Sequence, residues 1–183
     1  MSYSLEEFAA DTQQILKQDP GPAGREKVCA RLAALLEDDD FIAAYCGPDA
    51  APGARVIHHD PETDFNVLVH VMENDHAGWP HDHGSSWAIY GQAVKHTDMT
   101  VWKRLDDGAE AGKAELEREK TFRLDRATVG VFNEGTVHSI AYPAGAIFVR
   151  VTGTDLSKLE RLRFDPENGT VVSEKRPIFG SAA

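Results

Sequence analysis

Residues 79–91 read Trp79-Pro80-His81-Asp82-His83-Gly84-Ser85-Ser86-Trp87-Ala88-Ile89-Tyr90-Gly91. Two histidines flank one aspartate directly after a proline, and an apolar run follows. In an extended strand, residues two apart share a face, so His81 and His83 can aim both imidazoles at one point while Asp82 faces away. The bounding proline and glycine constrain the backbone, which suits side chains that must be held without rotamer freedom. Alone, such a pair is as ordinary on an exposed edge as at a metal. Residues 130–138, GVFNEGTVH, supply a third candidate: Asn133-Glu134-Gly135 forms a turn that returns the chain and places His138 on the next strand. Three histidines on turn-connected strands read as a metal site inside a β-rich shell.

Working outward, the residues before this segment have a different texture. Leu5, Phe8, Ala9, Thr12, Ile15 and Leu16 recur at helical spacing after Ser4, a capping residue, and Asp19-Pro20-Gly21-Pro22 ends the pattern. A second helix runs through Val28, Leu32, Leu35 and Leu36, and a short turn, FIAAY, follows. The acidic run Glu37 to Asp40 reads as a solvated face or loop. From Gly47 onward the apolar residues lie in short runs between turn signals. The expected strands are Asp64 to Met72, Ser86 to Ala93, Thr97 to Arg104, Lys120 to Leu124, Thr128 to Phe132, Val137 to Tyr142, Ala146 to Thr152 and Leu159 to Phe164. Many short strands without intervening helices predict an antiparallel barrel or sandwich. The expected division is residues 1–50 as a helical extension and 51–183 as the β domain.

Composition narrows the function. With 19 Lys and Arg against 30 Asp and Glu, the formal charge is −11, which disfavours nucleic acid and anionic membranes as partners. No apolar run approaches the roughly 20 residues of a membrane span, and the N-terminal stretch MSYSLEEFAADTQQ is unlike a secretory signal. The expectation is a cytoplasmic protein. Cys29 and Cys46 lack a CxxC spacing and read as small apolar residues in a reducing compartment.

On FNVLVHVM, PHDHG, the strand through Gly91-Gln92, NEGTVH and TGTDL, the chain resembles the cupin superfamily, and within it the thiol dioxygenases, the cysteine dioxygenase and 3-mercaptopropionate dioxygenase group. The similar part runs from about Arg55 to Phe164. The resemblance implies an all-β fold, the cupin double-stranded β-helix or jelly-roll barrel, with the N-terminal helices packed on it. It also implies His81, His83 and His138 as ligands of a mononuclear non-heme Fe(II), with Ni, Zn or Mn able to take its place. Many cupins carry a glutamate ligand a few residues after HxH; here that region is Ser86, Trp87, Ala88 and Ile89. Three neutral imidazoles leave the ion its full charge and open faces for substrate and O2.

Two departures stand out. Ala88 occupies the position of the cysteine that mammalian-type enzymes cross-link to a tyrosine, so that group cannot form. The family's outer Ser-His-Tyr triad aligns with Phe148, Arg150 and Thr152 and is absent. Arg150 either faces inward, where its guanidinium would fork onto an anionic substrate, or lies outside, paired to an acidic side chain. Arg55 falls about where the mammalian-type enzymes carry a substrate-binding arginine, or is a solvated loop residue. His70 is a neighbouring acid or base or a hydrogen-bonded core histidine. Tyr90 either hydrogen-bonds bound dioxygen or packs as an aromatic anchor. Trp79, Trp87 and Trp102 are assigned to packing; His58, His59, His76 and His96 remain without a role.

The expected activity is an Fe(II) dioxygenase that oxidises a small anionic, thiol-bearing substrate with O2 to a sulfinate. The alternatives keep the three-histidine site. One is C–C cleaving dioxygenase chemistry or Lewis-acid isomerase or lyase chemistry; the other is a metal-containing small-molecule binding module. The expected partners are the substrate and O2; oligomeric state is left open.

Overall fold

Ser4 opens the first element of the protein. In the computed structural model, which describes residues 3–175, its side chain accepts the Glu7 N–H at 3.2 Å while the Glu7 carboxylate accepts the Ser4 N–H at 2.8 Å. This reciprocal cap starts α1 (Leu5–Gln18), whose Leu5, Phe8, Ala9, Thr12 and Leu16 are buried along one face. Pro22 opens α2 (Pro22–Glu37). Within the acidic run, Asp38 is not merely solvated: it accepts the Phe41 N–H at 2.9 Å, capping α3 (Asp39–Tyr45), and also accepts the Tyr3 N–H at 2.9 Å.

Eleven strands follow among the described residues: β1 (Gly53–His59), β2 (Asn66–Val71), β3 (His76–Ala77), β4 (Ala88–Val94), β5 (Thr97–Arg104), β6 (Leu116–Leu124), β7 (Val129–Phe132), β8 (Val137–Tyr142), β9 (Ile147–Thr152), β10 (Arg161–Asp165) and β11 (Thr170–Glu174). They form one sheet in the order β1-β2-β9-β4-β7, a second in the order β3-β8-β5-β6, and a ribbon β10-β11. All pairings are antiparallel. The two larger sheets face each other across Tyr90, Met99, Phe132 and Phe148. Their hydrogen bonding does not close, so the described residues make facing sheets and not the closed barrel expected.

The outer face of the first sheet carries the helices. Val67, Val69, Ile89, Val149 and Val151 pack with Phe8, Val28, Leu32, Leu35 and Leu36. Each fully buried side chain of this kind contributes about 1.5–3 kcal/mol, so the helices share a core with the sheet. Gly91 sets the distance: a Cβ there would lie 2.5 Å from a Leu36 methyl and 2.9 Å from a Leu32 methyl, so α2 rests directly on β4. Strands β2, β9 and β4 are therefore buried on both faces, which explains their near-continuous apolar runs.

The strands absent from the expected set are β1, β3 and β11, and β6 begins four residues early, at Leu116. All four are short or lie at sheet edges, where exposed residues such as Glu117, Arg118 and Glu119 hide the alternation. The last expected strand starts at Arg161 and not at Leu159, because a 3-10 turn at Leu156–Lys158, capped by Asp155, occupies the preceding residues. Residues 176–183 of the expected β domain lie outside the described residues. No described helix is long and apolar enough to cross a membrane.

Candidate metal centre

The HxH segment is not a regular strand. Pro80 to Asp82 thread between β8 and β10. The His81 and His138 N–H groups each donate to the other's carbonyl at 2.9 Å, the Phe164 N–H donates to the Pro80 carbonyl at 2.8 Å, and the Asp82 N–H donates to the Leu162 carbonyl at 3.1 Å. Proline is tolerated because only its carbonyl is used. Asp82, expected to face away, is buried: its Oδ1 accepts the Gly84 N–H at 3.0 Å and the Leu162 N–H at 2.8 Å. With its carboxylate on the backbone, Asp82 stays out of the histidine group, and the turn closed by the Ser86 N–H on the His83 carbonyl follows His83. Gly84 is required there. It has φ +61°, and a Cβ would lie 2.4 Å from the Glu160 carbonyl oxygen.

The three imidazoles converge. Ring centroids are 5.6 Å apart for His81 and His83, 4.7 Å for His81 and His138, and 4.8 Å for His83 and His138. One ring nitrogen from each lies within 4.8 Å of the other two, the one such group of metal-binding side chains among the described residues. His81 Nδ1 donates to the Trp79 carbonyl at 3.0 Å and His138 Nδ1 to the Thr136 carbonyl at 3.2 Å. A carbonyl can only accept, so these contacts put the proton on Nδ1 and leave Nε2 as donor to a metal. His138 Nε2 is buried without a hydrogen-bond partner. Burial holds His83 and His138 well below the usual imidazole range, reinforced by repulsion from His138 and His81 at His83, from His81 at His138, and from Arg150 at both. Neutral nitrogen donors without a carboxylate fit a divalent transition metal better than Ca or Mg.

The strand register determines what surrounds the trio. Arg150 on β9 pairs directly with Tyr90 on β4 and Leu68 on β2, so it shares the inner face with Tyr90. It is half-buried, its Nε is buried without a partner, and no ion pair among the described residues involves it. Phe148 and Thr152 flank it on the same face. The Tyr90 hydroxyl lies 3.3 Å from His83 Nε2. His70 is buried and stacked on Phe148 at 4.6 Å, with its Nε2 unpartnered; burial and then Arg150 keep it neutral. Arg150, His70 and Tyr90 are therefore brought together with the histidines.

Arg55 is not. It is exposed on β1 and pairs with Val69, whose side chain packs under the helices, so it occupies the opposite face of the sheet. Trp79, expected to pack, is 44% exposed; only its carbonyl serves the site. Trp87 is buried, and the Trp102 indole donates to Ser139 Oγ at 3.0 Å. Of the remaining histidines, His58 lies against Phe65, His76 stacks on Tyr142, and His59 meets Asp64 at 3.0 Å. Burial pushes the Cys29 thiol up to about 12 and the Cys46 thiol up to about 11, so neither supplies a thiolate at neutral pH. Arg161, half-buried on β10, adds positive potential at His83, and no spacing in the sequence pointed to it.

Neither a family model nor a curated protein matches the chain. Among solved structures it is similar to KdgF from Halomonas sp., at 17% identity and TM-score 0.41 over 57% of this chain and 82% of that one. The cupin domain of Cnp3 from Schizosaccharomyces pombe aligns at 14% identity and TM-score 0.40, over 54% of this chain and 57% of that one. An oxalate oxidase in complex with the substrate analogue glycolate aligns at 16% identity and TM-score 0.41, over 58% of this chain and 53% of that one. These are partial likenesses, and the metal centre stands on its own geometry.

Proposed function

We propose that the protein is a mononuclear metal enzyme of the cupin type, in which His81, His83 and His138 hold Fe(II) and a small anionic thiol is oxidised by O2. The observation that carries this reading is the convergence of three imidazole donors with no carboxylate among them. Bound there, Fe(II) would supply a site for a thiolate and for O2, and the overall conversion of thiolate plus O2 to sulfinate balances with both oxygen atoms entering the product.

The surrounding residues divide the remaining work. Arg150 offers a guanidinium with no carboxylate partner among the described residues, and its role is to fork onto the substrate's anionic group and fix the distance from that group to the reacting sulfur. Neutral His70, stacked beside Arg150's neighbour Phe148, presents Nε2 as a further hydrogen-bonding group. Tyr90 directs its hydroxyl at His83, and with His83 holding a metal the hydroxyl would be available to a polar group of the substrate or O2. Phe148 and Phe132 line the same space and exclude water.

Iron-loaded protein mixed anaerobically with cysteine, 3-mercaptopropionate, mercaptosuccinate or cysteamine, and then exposed to oxygen, tests this. Oxygen uptake matched by sulfinate is the expected result; no turnover of any of these thiols would count against thiol oxidation. Arg150 in the place of the triad favours a second reading, in which the same centre acts on a non-thiol anion as a Lewis acid. Turnover without oxygen would select it.

A further inference from the structure

We propose that Arg25, on the helical extension, is a positioning residue of the metal centre; this rests on the three-histidine reading above. Arg25 is 6% exposed. Its two terminal nitrogens fork onto the Glu134 carboxylate, Nη1 also donates to Asn133 Oδ1 at 2.8 Å, and the guanidinium lies 5.5 Å from the centre of the Trp87 ring. One side chain from α2 thus grips two segments that each carry a ligand.

The first grip leads to His138. Asn133 and Glu134 form the turn before β8; the Thr136 N–H donates to the Asn133 carbonyl at 3.1 Å, and the Thr136 carbonyl accepts His138 Nδ1. The second leads to His83. Trp87 follows the His83 turn, which is closed by the Ser86 N–H on the His83 carbonyl at 3.2 Å. Trp87 is also held from the other side, because a Cβ on Gly153 would lie 2.5 Å from its indole nitrogen and the Gly153 N–H donates to its carbonyl at 3.3 Å. The guanidinium fixes the spacing of the turn before His138 and the turn after His83.

Stability alone explains this arrangement poorly. The Glu134 side chain is 43% exposed, so its attraction for Arg25 is screened, whereas Arg25 bears the cost of burial and leaves its Nε without a partner. What the contact does achieve is geometric: planar, bidentate fixation of a turn whose Glu134 and Gly135 are exposed.

The test is Co(II) titration of the full-length protein, followed by the ligand-field absorption of the bound ion, at a temperature where circular dichroism shows every variant folded. Arg25→Met, which keeps bulk over Trp87, should weaken Co(II) binding about tenfold and alter the absorption envelope. Glu134→Gln, a milder change that remains available if Arg25→Met does not fold, should move both in the same direction. Leu16→Ala, a core truncation in α1, should lower the melting temperature and leave Co(II) affinity and spectrum as in the wild type. The inference is overturned if Arg25→Met, or Glu134→Gln in its place, binds Co(II) as the wild type does, or if Leu16→Ala weakens binding equally. A wild type that binds no Co(II), or binds it equally after alanine replaces the three histidines, would remove the metal centre itself.

Discussion

Asp82 Oδ1 accepts the Leu162 N–H at 2.8 Å, joining residues 80 positions apart. The residue between two metal-ligand candidates therefore has a task of its own: it ties the His81–His83 segment to β10 and, through the Gly84 N–H, shapes the turn that follows. A carboxylate placed between two imidazoles looks like a spare ligand, yet this one turns its oxygen to the backbone.

Replacing Asp82 by alanine leaves the Gly84 and Leu162 N–H groups without their acceptor. The expected loss is about 2–4 kcal/mol in urea unfolding, together with a lower metal content. Asp82→Asn keeps an oxygen at Oδ1 and should recover most of both; an asparagine variant as weak as the alanine one would show that charge, and not the acceptor, matters.

Gly84→Ala tests the same turn from the backbone side. A methyl at φ +61°, aimed at the Glu160 carbonyl, should cost about 1–3 kcal/mol and displace His83. Metal content measured on the purified protein should fall. Unchanged stability and metal loading would mean that the turn has room the structure does not show.

The wild type should gain thermal stability on addition of Fe(II) or Zn(II), by about 2.7 kcal/mol when the free ion is a hundredfold above its dissociation constant. The His81→Ala, His83→Ala, His138→Ala triple variant should gain none. Differential scanning fluorimetry with and without metal compares the two, and an equal gain would place the ion elsewhere.

Arg150→Leu separates binding from folding. Removing a half-buried cation that forms no ion pair among the described residues should leave stability unchanged or raise it, while affinity for anionic substrates falls by about 2–5 kcal/mol. Calorimetric titration of candidate anions into metal-loaded protein gives the second quantity. Equal affinity of variant and wild type for every accepted anion would remove Arg150 from the site.

The sign of the pH dependence follows from His70, His83 and His138, each lowered chiefly by burial. Below about pH 6.5 the unfolded chain takes up protons that the folded chain refuses, so metal-free protein loses stability as pH falls. His70→Leu removes one such group, and its stability should fall less steeply, by up to about 1.4 kcal/mol per pH unit, between about pH 6.5 and 5. Urea melts across that range measure the two slopes; parallel curves would show that His70 protonates freely in the folded state.

The parts of this architecture legible in sequence are those set by local rules. Ser4 with Glu7 marks a helix start, Asn133-Glu134-Gly135 marks a turn, and β5 and β8 have the bounds their patterns predict. The three histidines meet as their motifs imply, with the Asp82 carboxylate directed to the Gly84 and Leu162 N–H groups and not to the trio. What stayed hidden depends on contacts distant along the chain. Arg150's inward direction is set by pairing with Tyr90, Arg55's outward direction by pairing with Val69, and Arg25's attachment to Glu134 spans 109 positions. Edge strands such as β6 were obscured because one neighbour and open solvent impose no apolar rhythm.

The three imidazoles are unequally sheltered: His83 and His138 are 2% and 0% exposed, whereas His81 is only half-buried. A cation leaving such a cradle parts first from the outermost nitrogen, and a chelator approaching it arrives there. Extraction by a chelator should therefore become much faster when residue 81 is altered than when a deep histidine is softened by an equal loss of affinity, making His81 the hinge of a doorway and the other two its back wall.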